Sequence, residues 1–360
     1  MDRRNALKAL IGSLSVTAFA TAGGSPRGKI TRFGASPPDR QLAATIKASP
    51  RFHKTYAPLK GIAKEGRKNV FLYQNLQKEI GNFPPHYQGP APDGAEGEGD
   101  CIGQSSARGC DVLAASDIHL LGQREKFVAE CSVEMNYAGG RVEIGGLGGG
   151  ALRGRGGSHG EWQAKYLKQF GVLHRLKYER DGNELDLTGY HPGRSRKYRD
   201  VGVPDWLEPI AREHPVEEIT NVKTGMEALD AVASGQPVII GSSYAIKGQR
   251  DAQGFALPYL GGSTRRGRWT FNDVRVQWWH AMVLVGAVLE GGRIGGTILN
   301  SHGKNWIEGP QPFDLPDGGF NIDLEYLDLM IKDWGDCWAL GSYKGHAAKR
   351  IRKHLLYIRR

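Results

Sequence analysis

Residues 277–306 read QWWHAMVLVGAVLEGGRIGGTILNSHGKNW, and the reading of the fold starts from this stretch. Ala281–Leu289 is a continuous apolar run and Gly296–Asn300 a second one. The Glu290-Gly-Gly-Arg293 turn between them predicts a pair of strands. Polar residues stand at the ends of these runs: His280 opens the first and Asn300 closes the second. Downstream, Leu324, Leu327, Met330 and Ile331 have the spacing of a short helix, and Cys337–Ser342 that of a last strand. Upstream, Thr224-Gly-Met-Glu227 is a capping box with Met226, Leu229 and Val232 on one helix face. Gly235 ends that helix, and Pro237-Val-Ile-Ile240 reads as a strand.

The N-terminal half reads as helix and loop. Apolar or small residues at 102, 106, 107, 110, 113 and 114 give the stretch from Cys101 helical spacing. Ser158-His-Gly-Glu161 is a second capping box, predicting a helix that buries Trp162, Tyr166 and Phe170. Residues 84–100 are punctuated by Pro and Gly, and residues 139–160 hold eleven glycines; both read as loops. Helices first and strands after predict an α+β protein, a helical layer against an antiparallel sheet layer.

Composition sets limits. With 360 residues, 39% hydrophobic and 24% charged, the chain can bury a sizeable core and is not disordered throughout. Its 51 glycines follow no every-third-residue period, which excludes collagen. No apolar run reaches ~18 residues, so no spanning helix is expected. The first 22 residues have a basic start (Arg3, Arg4, Lys8), a small apolar middle (Ala9–Ala20) and Ala18-Phe-Ala20 or Ala20-Thr-Ala22 as a cleavage site, the layout of a signal peptide. Arg3-Arg4 gives it twin-arginine character, with Ala6 where a bulky apolar residue is usual. An exported chain, periplasmic or secreted, is expected. Residues 23–92 read as an arm, linker or propeptide, 93–343 as the domain and 344–360 as a basic tail. The formal charge is +10, but seven Lys/Arg lie in that tail. The charge therefore argues against a nucleic-acid-binding domain; the tail reads first as solvated chain without a partner, with contact to an anionic polymer or membrane surface as the alternative.

Three residues carry chemistry. Cys101 follows a glycine-rich loop and opens a helix, whose N-terminal amides favour a thiolate. His280, at a strand start, is placed to exchange a proton with it. Asn300 can accept from the imidazole and fix its direction.

His280-Ala-Met-Val-Leu-Val-Gly286 followed by Asn300-Ser301-x-Gly303-x-x-Trp306 resembles the second half of papain-like cysteine peptidases, nearer the divergent bacterial and phage relatives than the lysosomal members. Gly156-Gly-Ser-His-Gly160, with Tyr166-Leu-x-x-Phe-Gly171 after it, resembles the glycine-bearing wall of that family's substrate cleft. The resemblance implies a two-lobed fold, a Cys101–His280–Asn300 triad acting through an acyl-enzyme, and a cleft involving Gly156, Gly157, Trp279 and His302. It implies a polypeptide or peptide substrate. The thiol chemistry itself requires no cofactor, and no C-x-x-C or H-x-x-x-H spacing occurs to suggest a metal. Several features depart from the family. The stretch around Cys101 is Gly99-Asp-Cys-Ile102, without the papain signature, and His280 lies 179 residues beyond Cys101 where ~130–150 is usual. His302 stands where the family has a Trp, which predicts a wetter His–Asn bond. No Gln occurs at 93–100; Gln88, from a lengthened loop, is the expected oxyanion donor beside the Cys101 amide.

With Cys101 as nucleophile, Cys110, Cys131 and Cys337 allow one disulfide, and the spacing does not choose the pair. The leading expectation is an exported cysteine peptidase. A cell-wall peptide hydrolase with the same triad, and an inactive binding or structural protein of the same fold, are the alternatives.

Overall fold

The computed structural model describes residues 34–52, 69–83, 86–122, 126–146, 152–259, 261–265, 268–273, 277–288 and 293–343. The signal-like segment, the basic tail and the turn at 290–292 lie outside them. The chain enters through helix α1 (Arg40–Ala48), strand β1 (Val70–Phe71) and helix α2 (Tyr73–Ile80). A helical layer follows: α3 (Cys101–Leu121), α4 (Val133–Gly139) continued by a π turn at Gly140–Ile144, and α5 (Gly160–Gln169). The hairpin β2 (Lys177–Arg180)/β3 (Asn183–Asp186) and the short helices α6 (Pro192–Tyr198) and α7 (Glu208–Ala211) complete that half.

The second half begins with β4 (Val216–Asn221), α8 (Gly225–Ala233) and β5 (Val238–Tyr244), then the hairpins β6 (Ile246–Arg250)/β7 (Ala256–Pro258) and β8 (Gly261–Arg265)/β9 (Arg268–Asp273). It closes with β10 (Gln277–Val288), β11 (Gly295–Leu299), β12 (Phe320–Asp323), α9 (Leu324–Trp334) and β13 (Cys337–Tyr343). The main sheet has the order β12-β11-β10-β5-β13-β4 and is antiparallel throughout, with β1 pairing the far end of β10.

Two apolar cores lie on either side of α3. One packs α8 and α9 on the sheet through Leu229, Val283, Ile298 and Tyr326. The other joins α3, α4 and α5 through Ile102, Tyr137 and Leu167. From Cys101 to Asp117 nearly every side chain of α3 is buried, as befits a helix enclosed on all sides. Its small residues permit this. A Cβ at Gly103 would lie 2.7 Å from Tyr137 Cβ and 2.9 Å from the Val133 carbonyl, so α4 crosses at that glycine.

The two-layer α+β arrangement matches the expectation, and four local readings need correction. Residues 40–48, read as linker, form a helix capped by Asp39, whose Oδ1 accepts from Leu42 N–H at 2.8 Å. Residues 139–144, read as loop, continue α4. The box at Ser158–Glu161 does not form, because α5 starts at Gly160 with His159 as N-cap. Its first amide is met instead by a distant carboxylate: Gly160 N–H donates to Asp336 Oδ2 at 2.7 Å. Trp162 and Phe170 are half-buried, whereas Tyr166 is buried. The box at Thr224 does form, with Glu227 N–H donating to Thr224 Oγ1 at 3.1 Å.

Candidate active site

Cys101 is the first residue of α3, and its neighbour across the groove is β10. Its thiol is fully buried, and Sγ accepts from Ala281 N–H at 3.2 Å. That contact places the thiol one residue along the strand from His280. The imidazole is 1% exposed, and its Nε2 donates to Asn300 Oδ1 at 2.6 Å. Asn300 directly follows β11, and its Oδ1 also accepts from Ser301 N–H at 2.8 Å, which pins the amide oxygen. The structure therefore brings Cys101, His280 and Asn300 together across the β10–α3 boundary.

Backbone geometry aims the imidazole. The β10–β5 register slips between Gln277 and His280, and Trp279 within that bulge has φ +46°. A non-glycine residue in the left-handed region is strained by about 1–3 kcal/mol and persists only where its surroundings enforce it. The bulge turns His280 onto the Asn300 side of the strand.

The His–Asn bond is dry, contrary to the wetter bond expected from His302. His302 stacks flat on His280 (centroids 4.4 Å, planes 11° apart), and Trp278 stands edge-on to both rings. Trp306 packs against His302 as well, its ring 5.4 Å away and at 71° to the imidazole plane. His302 thus backs the imidazole and does not line the groove. Its register there comes from the chain at 86–88: Tyr87 bridges His302, and Gly303 N–H donates to the His86 carbonyl.

Gln88 lies on the same chain. Its N–H donates to the Ser301 carbonyl at 3.1 Å, and its Oε1 accepts from Ser301 Oγ at 2.8 Å. The oxygen end of the Gln88 amide is thus anchored next to Asn300. Gln104, in the first turn of α3, donates to Asp100 Oδ1 at 3.2 Å.

A groove with a cavity of about 670 Å³ runs past Gly99, Gly156, Arg155, Arg199 and Trp279, and Gly34-Ala35-Ser36 line it as well. These three arm residues are bonded along it like a short strand. Ser36 N–H donates to the Ser158 carbonyl at 3.0 Å, Ser158 N–H to the Gly34 carbonyl at 2.8 Å, and Ala35 N–H to the Trp279 carbonyl at 3.1 Å. Gly34 is the residue the crossing requires. It has φ +112°, and a Cβ there would lie 2.0 Å from the Gly99 carbonyl oxygen. Gly157 N–H in turn donates to the Gly99 carbonyl at 2.9 Å, which locks the groove wall to the loop before Cys101. The sequence reading missed this arm contact; Gly34-Ala-Ser-Pro-Pro38 has only its small side chains as a signal.

Electrostatics follow from enclosure. Burial pushes the Cys101 thiol far above its usual range, and the Asp100 charge adds to that, while the N–H groups of Ala281, Ile102 and Ala35 pull the other way. Burial likewise holds His280 well below its usual range, helped by His302 and opposed by Asn300. Enclosure thus opposes the charged forms of both groups, against the amides at the helix end that favour the thiolate. Asp100, missed in the sequence, is pushed up to about 7 by burial, against donors Ser195 at 2.7 Å, Tyr190 at 2.9 Å and Gln104.

No protein-family model matches the chain, and no curated protein sequence matches it. Solved structures do. The chain is similar to xylellain, a cysteine protease from Xylella fastidiosa, with a TM-score of 0.52 and 17% identity over 89% of this chain and 99% of that one. It is also similar to procathepsin B S9 from Trypanosoma congolense, with a TM-score of 0.47 and 11% identity over 87% of each chain. A third is digestive procathepsin L 3 of Tenebrio molitor larval midgut, with a TM-score of 0.43 and 12% identity over 84% of this chain and 78% of that one. The first of these likenesses establishes the fold as papain-like, two-lobed and α+β.

Proposed function

We propose that the chain is a cysteine peptidase held in a self-covered form by its own residues 34–36. Cys101 Sγ attacks the scissile carbonyl. With Nε2 engaged by Asn300, proton exchange with the thiol and then with the leaving amine falls to His280 Nδ1. Asn300 is the positioning residue. The Cys101 amide and the Gln88 side-chain amide, its oxygen end held by Ser301, are the oxyanion donors. An acyl-enzyme forms as the amine departs and is released by water.

The observation that carries this reading is the paired contact at one strand end: His280 bonded to Asn300 at 2.6 Å, and the amide of the next residue, Ala281, on the Cys101 sulfur. The covered form has its own support. Ala35 donates to the Trp279 carbonyl beside His280 and lies against the Cys101 thiol, where substrate backbone would have to lie. Residues 34–52 then act as an inhibitory arm of an exported enzyme. Its catalytic unit begins ahead of the expected residue 93, because β1 pairs with β10, α2 buries Tyr73 and Leu76 in the sheet-side core and Gln88 serves the oxyanion; it runs to about 343, and its basic tail meets an anionic surface.

The test is alkylation at about pH 5.5 with limiting iodoacetamide, read by mass spectrometry, in protein lacking residues 1–22 and in its His280→Ala variant. Uncovering the groove with a Gly34→Leu change should give fast, single labelling at Cys101 that the His280→Ala change abolishes. Slow labelling in the uncovered protein, equal with and without His280, would leave a papain-like fold kept for binding. Casein against purified wall sacculi then separates a general peptidase from a hydrolase of wall peptides.

A further inference from the structure

Three cysteines besides Cys101 are buried, and spacing alone does not pair them. Cys110 lies two turns into α3 and Cys131 immediately ahead of α4, 0% and 3% exposed. Both belong to the core that joins these helices. The backbone ties the two positions together: Cys131 N–H donates to Oδ1 of Asp111, the residue after Cys110, at 2.7 Å. Both are free, buried thiols, and the Cys110 thiol acts on that of Cys131 as a near neighbour. Cys337 lies on β13 in the other core, paired in register with Ile240.

We infer that Cys110 and Cys131 are a built dithiol that closes to a disulfide when a small-molecule or protein disulfide is present as oxidant. One thiolate attacks the oxidant, forming a mixed disulfide and releasing one oxidant thiol. The second thiolate displaces the remaining half, so two electrons and two protons leave with two oxidant thiols. The bridge fastens α3 to the segment leading into α4 and closes a loop of about 21 residues. Inside the finished fold the exchange is slow. The contact with Cys110, burial and the Asp111 charge all hold the Cys131 thiol well above its usual range, and the thiolate is the attacking form. The bridge therefore closes during folding, before the core shuts. It sits apart from the groove, so it stands whether or not Cys101 is a nucleophile.

The full chain is refolded from urea with oxidised glutathione, and the folded fraction is digested without reductant. In parallel, native protein is oxidised with glutathione plus a disulfide isomerase. The expected result, promptly in the refolded sample and slowly in the native one, is a mass lower by about 2 Da, a Cys110–Cys131 cross-linked peptide pair, and alkylatable Cys101 and Cys337. Reductant should lower the Tm of the bridged protein by roughly 4–12 °C. The cross-link should persist in a Cys337→Ala variant and vanish in Cys131→Ala. Folded protein that keeps four alkylatable thiols in both samples, or that bridges any other pair, overturns the inference.

Discussion

Ala35 donates its backbone N–H to the carbonyl of Trp279, the residue immediately before His280, at 3.1 Å. A segment 66 residues ahead of Cys101 thus caps the strand end that carries the imidazole. The contact joins the arm, the strained bulge and the buried Cys–His pair in one arrangement.

Displacing the arm should restore the thiol's reactivity. A side chain at Gly34 meets the Gly99 carbonyl and requires a left-handed backbone, so Gly34→Leu cannot seat the strap. Alkylation of Cys101 at pH 5.5 is expected to rise at least ~10-fold, the consequence of shifting the thiol by about one pKa unit. An unchanged rate, equal with and without His280, would overturn both the strap's covering role and the peptidase reading.

Asn300→Ala removes the acceptor of a buried imidazole N–H. A decrease of roughly 100-fold in kcat on a peptide substrate is expected, with KM little altered, because a positioning contact acts on the reacting geometry. The stranded donor also costs about 1–3 kcal/mol of stability, readable as a lower urea midpoint. A kcat within two-fold of the parent would remove Asn300 from the machinery.

Asp100 makes stability depend on pH. Its folded value, about 7, lies above the unfolded carboxylate range, so the fold favours the protonated form. That contribution is complete below about pH 4 and is lost as pH rises through 7. Asp100→Asn should flatten part of the fall in stability between pH 5 and 8, by on the order of 2–4 kcal/mol. It should also speed Cys101 alkylation at pH 8, since the Asp100 charge raises the thiol. Urea melts at the two pH values decide the first point; equal slopes in parent and variant would refute it.

Asp336→Ala tests the long-range cap. The carboxylate accepts from Gly160 N–H and from Trp338 Nε1 at 2.7 Å each, and burial pushes it up to about 6. Leaving both donors buried without an acceptor should cost about 2–5 kcal/mol, a fall of several degrees in Tm. A loss under 0.5 kcal/mol would place the start of α5 under other control.

The parts legible in the sequence are those whose signal is local. His280 and Asn300 stand at the ends of apolar runs, and the same runs define β10 and β11. The helix from Cys101 shows in its spacing, and Thr224–Glu227 is a cap that forms where it is written. What could not be read depends on distant chain. Asp336 caps α5 from 176 residues away, while the local box at Ser158 that seemed to do so stays unused. The strap at 34–36 binds by backbone, so its side chains carry no pattern beyond smallness. The surroundings of the thiol were legible only in part. A helix N-terminus is visible in sequence, but the burial that opposes it comes from distant chain packed over the sulfur.

The long separation between Cys101 and His280 has a simple geometric resolution. Tyr244 on β5 is the register partner of Gln277 on β10, so the chain leaves the sheet and re-enters it at adjacent positions. The two hairpins between them are an excursion from one point on the ladder, and lengthening such an excursion costs only logarithmically. The first of these hairpins is no idle ornament: Ala245, Ile246 and Ala256 join the sheet-side core, and Gly248 and Arg250 exchange backbone hydrogen bonds with Glu308. The excursion thus works as a buttress for the loop that carries Trp306 against His302, and trimming it would loosen the imidazole's backing.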